Sequence, residues 1–125
     1  MTPERREQAV SELLEECRAL RISKGVDYSG ASDVLDNFKR NAEPWGLTKY
    51  QVLSIYLSKH LDSVRNSIKA NPSYPQVESE PIRNRIADAV NYLLLLHCLL
   101  EEDAGDSQVD QRKDYPHTVL SVIKP

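Results

Sequence analysis

The chain has 125 residues, 40% of them hydrophobic, which is enough for a single core and too little for two independent domains. Its formal net charge of −3 is spread over scattered acids and bases, with no basic block to neutralise a nucleic-acid backbone, so direct binding of duplex DNA is not expected.

Thr2 as a cap and Pro3 at the first helical position announce a helix carrying Val10, Leu13, Leu14, Cys17 and Leu20, which Gly25 is expected to end. Lys24 to Ser32 then reads as a loop with two glycines. Ser32 or Asp33 can cap a short second helix with Val34, Leu35, Phe38 and Ala42, broken by Pro44 to Gly46. Thr48 and Gln51 form a capping box, after which Leu53, Leu57, Leu61, Val64 and Ile68 trace an apolar stripe along a long third helix, terminated by Pro72 and Pro75. Ser79-Glu80-Pro81 opens a fourth helix in which Ile82, Ile86, Ala89, Val90, Leu93, Leu96 and Leu100 face one way until Gly105. Beyond it, Tyr115-Pro116-His117 precedes a β-branched run, Val119, Leu120, Val122 and Ile123, expected to dock as an arm on the body or on a second subunit. The pattern predicts an all-α fold: a compact bundle of about four helices over residues 1–105, then a tail over 106–125 with a short extended arm.

The start, Thr2-Pro3-Glu4-Arg5-Arg6, has no apolar run of the signal-peptide kind. The longest greasy stretch, Ala89 to Leu100, is interrupted by Asn91, Tyr92 and His97 and falls short of the ~20 residues of a membrane span. Cys17 and Cys98 both sit in apolar helical patterns and read as buried free thiols in a reducing compartment. A cytoplasmic protein without membrane contact is expected.

Three polar constellations stand out. On the fourth helix Asn84, Arg85, Asp88, Asn91 and Tyr92 share the side away from the main apolar stripe, yet Leu95 and Leu99 occupy that same side one and two turns later. A polar patch bounded in this way fits the wall of a polar cavity between helices; an internal Arg85–Asp88 ion pair is the structural alternative. On the third helix Tyr56, Lys59 and Ser63 follow one flank while His60 borders the apolar stripe, either as a hydrogen-bonded core residue or as an acid or base. Asp62 lies farther round, as a surface carboxylate or a ligand. In the third constellation, Lys24 to Asn37, Gly25 and Gly30 would let backbone amides approach a phosphate beside Lys24, or simply connect two helices; neither a Walker loop nor a dinucleotide fingerprint is present. Asp33 and Asn37 add an acceptor and an amide at i and i+4, and Phe38 either packs in the core or stacks on a base.

Lys24-Gly25-Val26-Asp27-Tyr28, Asp33-Val34-Leu35 with Asn37-Phe38, Lys59-His60-Leu61-Asp62, and Arg85-Ile86-Ala87-Asp88 with Asn91-Tyr92, in this order, resemble the nucleotide modification associated domain, type 1. That helical family is common in phages and prophages, and the likeness covers the first to the fourth helix. It implies a role near nucleotide metabolism, base modification or nucleotide signals, in a host cytoplasm where the protein is phage-encoded. A more distant likeness is to the all-α nucleoside triphosphate pyrophosphohydrolases of the MazG type, which implies magnesium held by helical carboxylates. Glu12, Glu15 and Glu16 offer part of that pattern, but Arg85 stands where an acidic partner of Asp88 belongs, and Asp62 has no second acid at the required spacing.

The first expectation is therefore a nucleotide or other phosphate-bearing small molecule in a pocket between helices. Lys24, Lys59 and Arg85 would meet phosphate, Asp27, Asn37 and Asn91 would select base or sugar, Tyr28 or Tyr92 would stack, and Asp33, His60 and Asp88 would complete the lining. The alternatives are a magnesium-dependent pyrophosphohydrolase using Asp88 with Asp33 or Asp62, and a protein-interaction adaptor acting through the C-terminal arm. Self-association into a homo-oligomer is expected, without an assignable interface.

Overall fold

The computed structural model describes the backbone of residues 1–29, 33–76 and 80–107, and the side chains of 1–24, 33–76 and 80–105. The elements are α1 (Pro3–Ser29), α2 (Asp36–Ala42), a 3-10 turn (Glu43–Trp45), α3 (Lys49–Ala70) and α4 (Ile82–Ser107), with no strand among the described residues. The fold is the expected all-α bundle of about four helices. The expected C-terminal arm lies outside the described residues.

Thr48 caps α3 as its sequence demands: its side chain accepts from the Gln51 amide, and the Gln51 side chain accepts from the Thr48 amide at 2.8 Å. Gly46, at φ 64°, takes the left-handed conformation that closes the turn after α2. Several boundaries differ from expectation. Gly25 does not end α1, which continues to Ser29, and Gly105 does not end α4, which continues to Ser107. A single glycine lowers helix propensity by only about 1 kcal/mol, too little to stop a long helix. Asp33 does not cap α2, which begins at Asp36. Its carboxylate instead accepts from the Leu35 amide at 2.9 Å, forming a turn ahead of the helix.

The core lies between α2, α3 and the second half of α4: Leu35, Phe38, Ala42, Val52, Leu53 and Leu99 are buried, with Tyr50, Tyr56, Tyr92 and Leu95 packed against them. Phe38 is thus a core residue. The helices α3 and α4 run antiparallel: Lys49 and Tyr50 meet Asp103 at one end, and His60 meets Asp88 and Tyr92 farther along. Lys39 of α2 reaches both Asp33 at 3.0 Å and Glu102 at 2.7 Å, pinning α2 to the end of α4. α1 lies along the first half of α4 in the same direction, joined by Glu16–Arg83, Cys17–Ala87, Arg21–Asn91 and Lys24–Asp88 contacts.

Two apolar assignments are corrected. The inward side of α4 is the one that carries the polar patch and then Leu95 and Leu99. The stripe taken as its main apolar face is only partly covered, with Ile86 38% and Leu93 51% exposed. Periodicity identifies a stripe but not which of two candidate sides meets the neighbours. Cys17 is fully buried, whereas Cys98 is exposed and is no core thiol. Val10, Leu14, Val34 and Ile68 are likewise exposed although they follow helical apolar spacing. No described helix is long and apolar enough to cross a membrane.

Candidate functional site

Where α1, α3 and α4 meet, the inward polar side of α4 is held by the other two helices. The Asp88 side chain is 13% exposed. One of its oxygens accepts from Lys24 Nζ at 2.9 Å, and the other lies 3.8 Å from His60 Nδ1, beyond hydrogen-bonding range. His60 Nδ1 is buried and has no hydrogen-bond partner. Burial, above all, pushes the imidazole below its ordinary value of 6.5. Asp88 opposes that shift, and Lys24, Lys59 and Arg85 reinforce it. The ring is accordingly neutral at pH 7. It stacks on Tyr92 with centroids 5.0 Å apart, and Tyr92 in turn meets Phe38 and Tyr56 edge-on.

Asn91, buried beneath this cluster, is satisfied on both ends. Its oxygen accepts from Arg21 at 2.9 Å, and its amide donates to the Cys17 carbonyl at 3.0 Å. The Cys17 thiol donates to the Ala87 carbonyl, and desolvation pushes its pKa up, as for an inert core thiol. The Arg85–Asp88 pair offered as a structural alternative does not form. Arg85 instead contacts Glu80, just before α4, at an angle that leaves its Nε without a hydrogen bond.

The structure therefore brings together Lys24, His60, Asp88, Asn91 and Tyr92, with Arg85 close enough to act electrostatically on His60. Lys59 acts on His60 as well, but its own side chain is exposed. Asn37 belongs elsewhere: its oxygen atoms accept from Asn41, whose amide also touches the Tyr56 hydroxyl at 3.4 Å. Asp33 is engaged by Lys39 and the Leu35 amide, which together hold its carboxyl below the usual range, the amide most of all. The side chains of Asp27 and Tyr28 lie outside the described residues. Lys24 does not precede a loop, since α1 runs on past Gly25, and the Gly25 amide is part of that helix. Gly30 is outside the described residues.

Two site residues escaped the sequence reading. Arg21 has no part in the expected site, yet it holds the buried Asn91. Glu80 figures in the sequence only as part of the start of the fourth helix, yet it partners Arg85. The signal for Arg21 was its position one turn beyond Cys17, on the same side of the helix.

The described residues form no magnesium cage of the kind that the more distant likeness implies. Among the described residues no group of three His, Cys, Asp or Glu side chains is placed to hold a metal ion. The carboxylates such a cage would use face cations in different places: Asp62 faces Arg65, Asp33 Lys39, Asp88 Lys24, Glu15 Arg18 and Glu16 Arg83. Compared with protein-family models, with curated proteins and with solved structures, the chain matches none.

Proposed function

We propose that the chain binds a nucleotide or nucleotide-derived, phosphate-bearing ligand at the junction of α1, α3 and α4. One observation carries this reading: Lys24, paired with Asp88 at 2.9 Å, Arg85, beside Glu80, and the exposed Lys59 converge on a largely covered histidine whose Nδ1 has no hydrogen-bond partner and whose ring stacks on Tyr92. An excess of positive charge beside a desolvated aromatic pair suits an anion with a planar appendage. The ligand phosphate would exchange with carboxylate, taking Lys24 from Asp88 and Arg85 from Glu80, while exposed Lys59 closes over it. Tyr92 already stacks on His60, so a base would lie against the imidazole side of the pair rather than against Tyr92 itself. The resemblance to the nucleotide modification associated domain supports the same ligand class. In this reading the protein works in the cytoplasm, sequestering or delivering a nucleotide.

Isothermal titration with mono-, tri- and cyclic nucleotides tests the proposal. Binding to at least one is expected, with at least a tenfold loss in Arg85→Ala, the effect of about 1.4 kcal/mol. Silence across the whole panel overturns it. If Asp88→Asn and Arg85→Ala lower the melting temperature while leaving every titration unchanged, the cluster is purely structural. The dispersed carboxylates favour binding over hydrolysis, so no pyrophosphate release from deoxynucleoside triphosphates with Mg²⁺ is expected.

A further inference from the structure

The opposite side of α4 holds a feature that the ligand site does not use. Ile86, Val90, Leu93 and His97 follow one another at spacings of four, three and four, the seam of a two-helix coiled coil, with Leu94 beside them. Among the described residues no helix covers this seam fully. Ile86 is 38%, Leu93 51% and Leu94 37% exposed, and the His97 side chain is 70% exposed. These positions recur along one side of α4, with Val90 half-covered between them, whereas exposed apolar residues on an ordinary surface are scattered singly.

Its flanking charges say what covers it. Arg83 stands before the seam and Glu101 after it, about five full turns apart and hence at the same angle around the helix axis. Both remain half-exposed although each has a contact within the chain, Arg83 with Glu16 and Glu101 with His97. A seam that begins with a cation and ends with an anion on one edge is complementary to a reversed copy of itself. If a second α4 lies antiparallel, with a two-fold axis level with position 92, Arg83 of each copy meets Glu101 of the other. Ile86 then packs on His97, and Val90 on Leu93 and Leu94. A parallel copy would set the two Arg83 side chains level with each other but on opposite flanks of the pair, so that neither meets a Glu101.

We propose that the outward seam of α4 is the interface of an isologous homodimer, formed with a second copy of this chain in that antiparallel register. The surface faces away from the Asp88 cluster, so dimerisation and ligand binding stand or fall separately.

Sedimentation equilibrium at roughly 100 μM, well above a ~μM dissociation constant, is expected to give twice the mass of the chain. Leu93→Glu, at an exposed position that tolerates charge in the isolated subunit, is expected to give a monomer with unchanged helical circular dichroism. The register has its own test. In a Cys98→Ser background, which removes the exposed native thiol, mild oxidation of the Ile86→Cys/His97→Cys double variant yields a disulfide-linked dimer in the antiparallel alignment, whereas the His97→Cys single variant does not. Wild-type protein that sediments as a monomer overturns the proposal. So does a dimer that survives Leu93→Glu, or one that cross-links through His97→Cys alone, which reports a parallel pairing. A monomer that Leu93→Glu destabilises assigns the seam to the chain's own Val119 to Ile123 run, and equally overturns the dimer.

Discussion

His60 concentrates the electrostatic cost of the α1–α3–α4 junction. Its imidazole is kept neutral by burial and by Lys24, Lys59 and Arg85, against the pull of Asp88. Because the folded pKa lies below the unfolded value of 6.5, unfolding takes up a proton once the pH drops under 6.5. Stability is therefore complete above that pH and declines as the pH falls from 6.5 towards the lower folded value, with a slope no steeper than about 1.4 kcal/mol per unit for one proton. Urea unfolding between pH 7 and 5 is expected to show this decline, and His60→Gln to flatten it. Asp33 and Asp103 are both held below 3.8, Asp33 mainly by the Leu35 amide and Asp103 mainly by Lys49, so their contribution fades only in a more acidic range. A decline confined to pH values below 4 would show that His60 is not desolvated. Tyr50 makes a similar point at the other end of the bundle. Burial, with Asp103 as acceptor, pushes its phenol up to about 12, so it stays a donor throughout the neutral range.

At the scale of the helix, two kinds of information decide where elements start and what they bury. Capping chemistry is local, and the Thr48–Gln51 box could be read directly from the chain. Removing it by Thr48→Ala is expected to cost about 1 kcal/mol, lowering the melting temperature by roughly 4 °C. Core packing is not local. Phe38 is 3% exposed and touches Tyr56 and Tyr92, so Phe38→Ala is expected to cost roughly 3–5 kcal/mol, several times the cap. Equal losses in thermal unfolding would contradict this division. The same distinction explains what could be read in advance. Helix count and the Pro44–Gly46 break are properties of short windows, and each appears as expected. The side of α4 that faces inward, the continuation of α1 past Gly25 and the exposure of Cys98 depend on partners distant in sequence. Asp88 was visible as an anomaly, but its pairing with Lys24 rather than Arg85 follows from how α1 lies against α4. Asp33 and Asn37 share a sequence motif with the site but are tied by Lys39 and Asn41 to the α2 end of the bundle.

Across the whole molecule the apolar and polar contacts are divided unequally. α2, α3 and the second half of α4 share the large side chains of the core, while α1 meets α4 through Cys17, Ala87, Asn91 and three ion or hydrogen-bonded pairs. Nearly every residue from Met1 to Glu12 is exposed, so the first half of α1 runs without a covering neighbour among the described residues. Small and polar groups specify register well and stabilise modestly. This division makes α1 a separate cooperative unit, with consequences for how the chain breathes. Amide hydrogen exchange is expected to be fastest from Arg5 to Glu12, intermediate around Cys17 to Lys24, and slowest at Val52 and Leu53 in α3. Uniform protection across α1 and α3 would show that they open together. Lys24 and Asp88 sit on opposite sides of the weaker seam, so opening α1 alone takes their ion pair, and with it the proposed ligand site, apart while the aromatic core stays folded. A bound phosphate that bridges the two helices would then slow exchange selectively in α1. The helix least anchored by the core would thus record occupancy of the site.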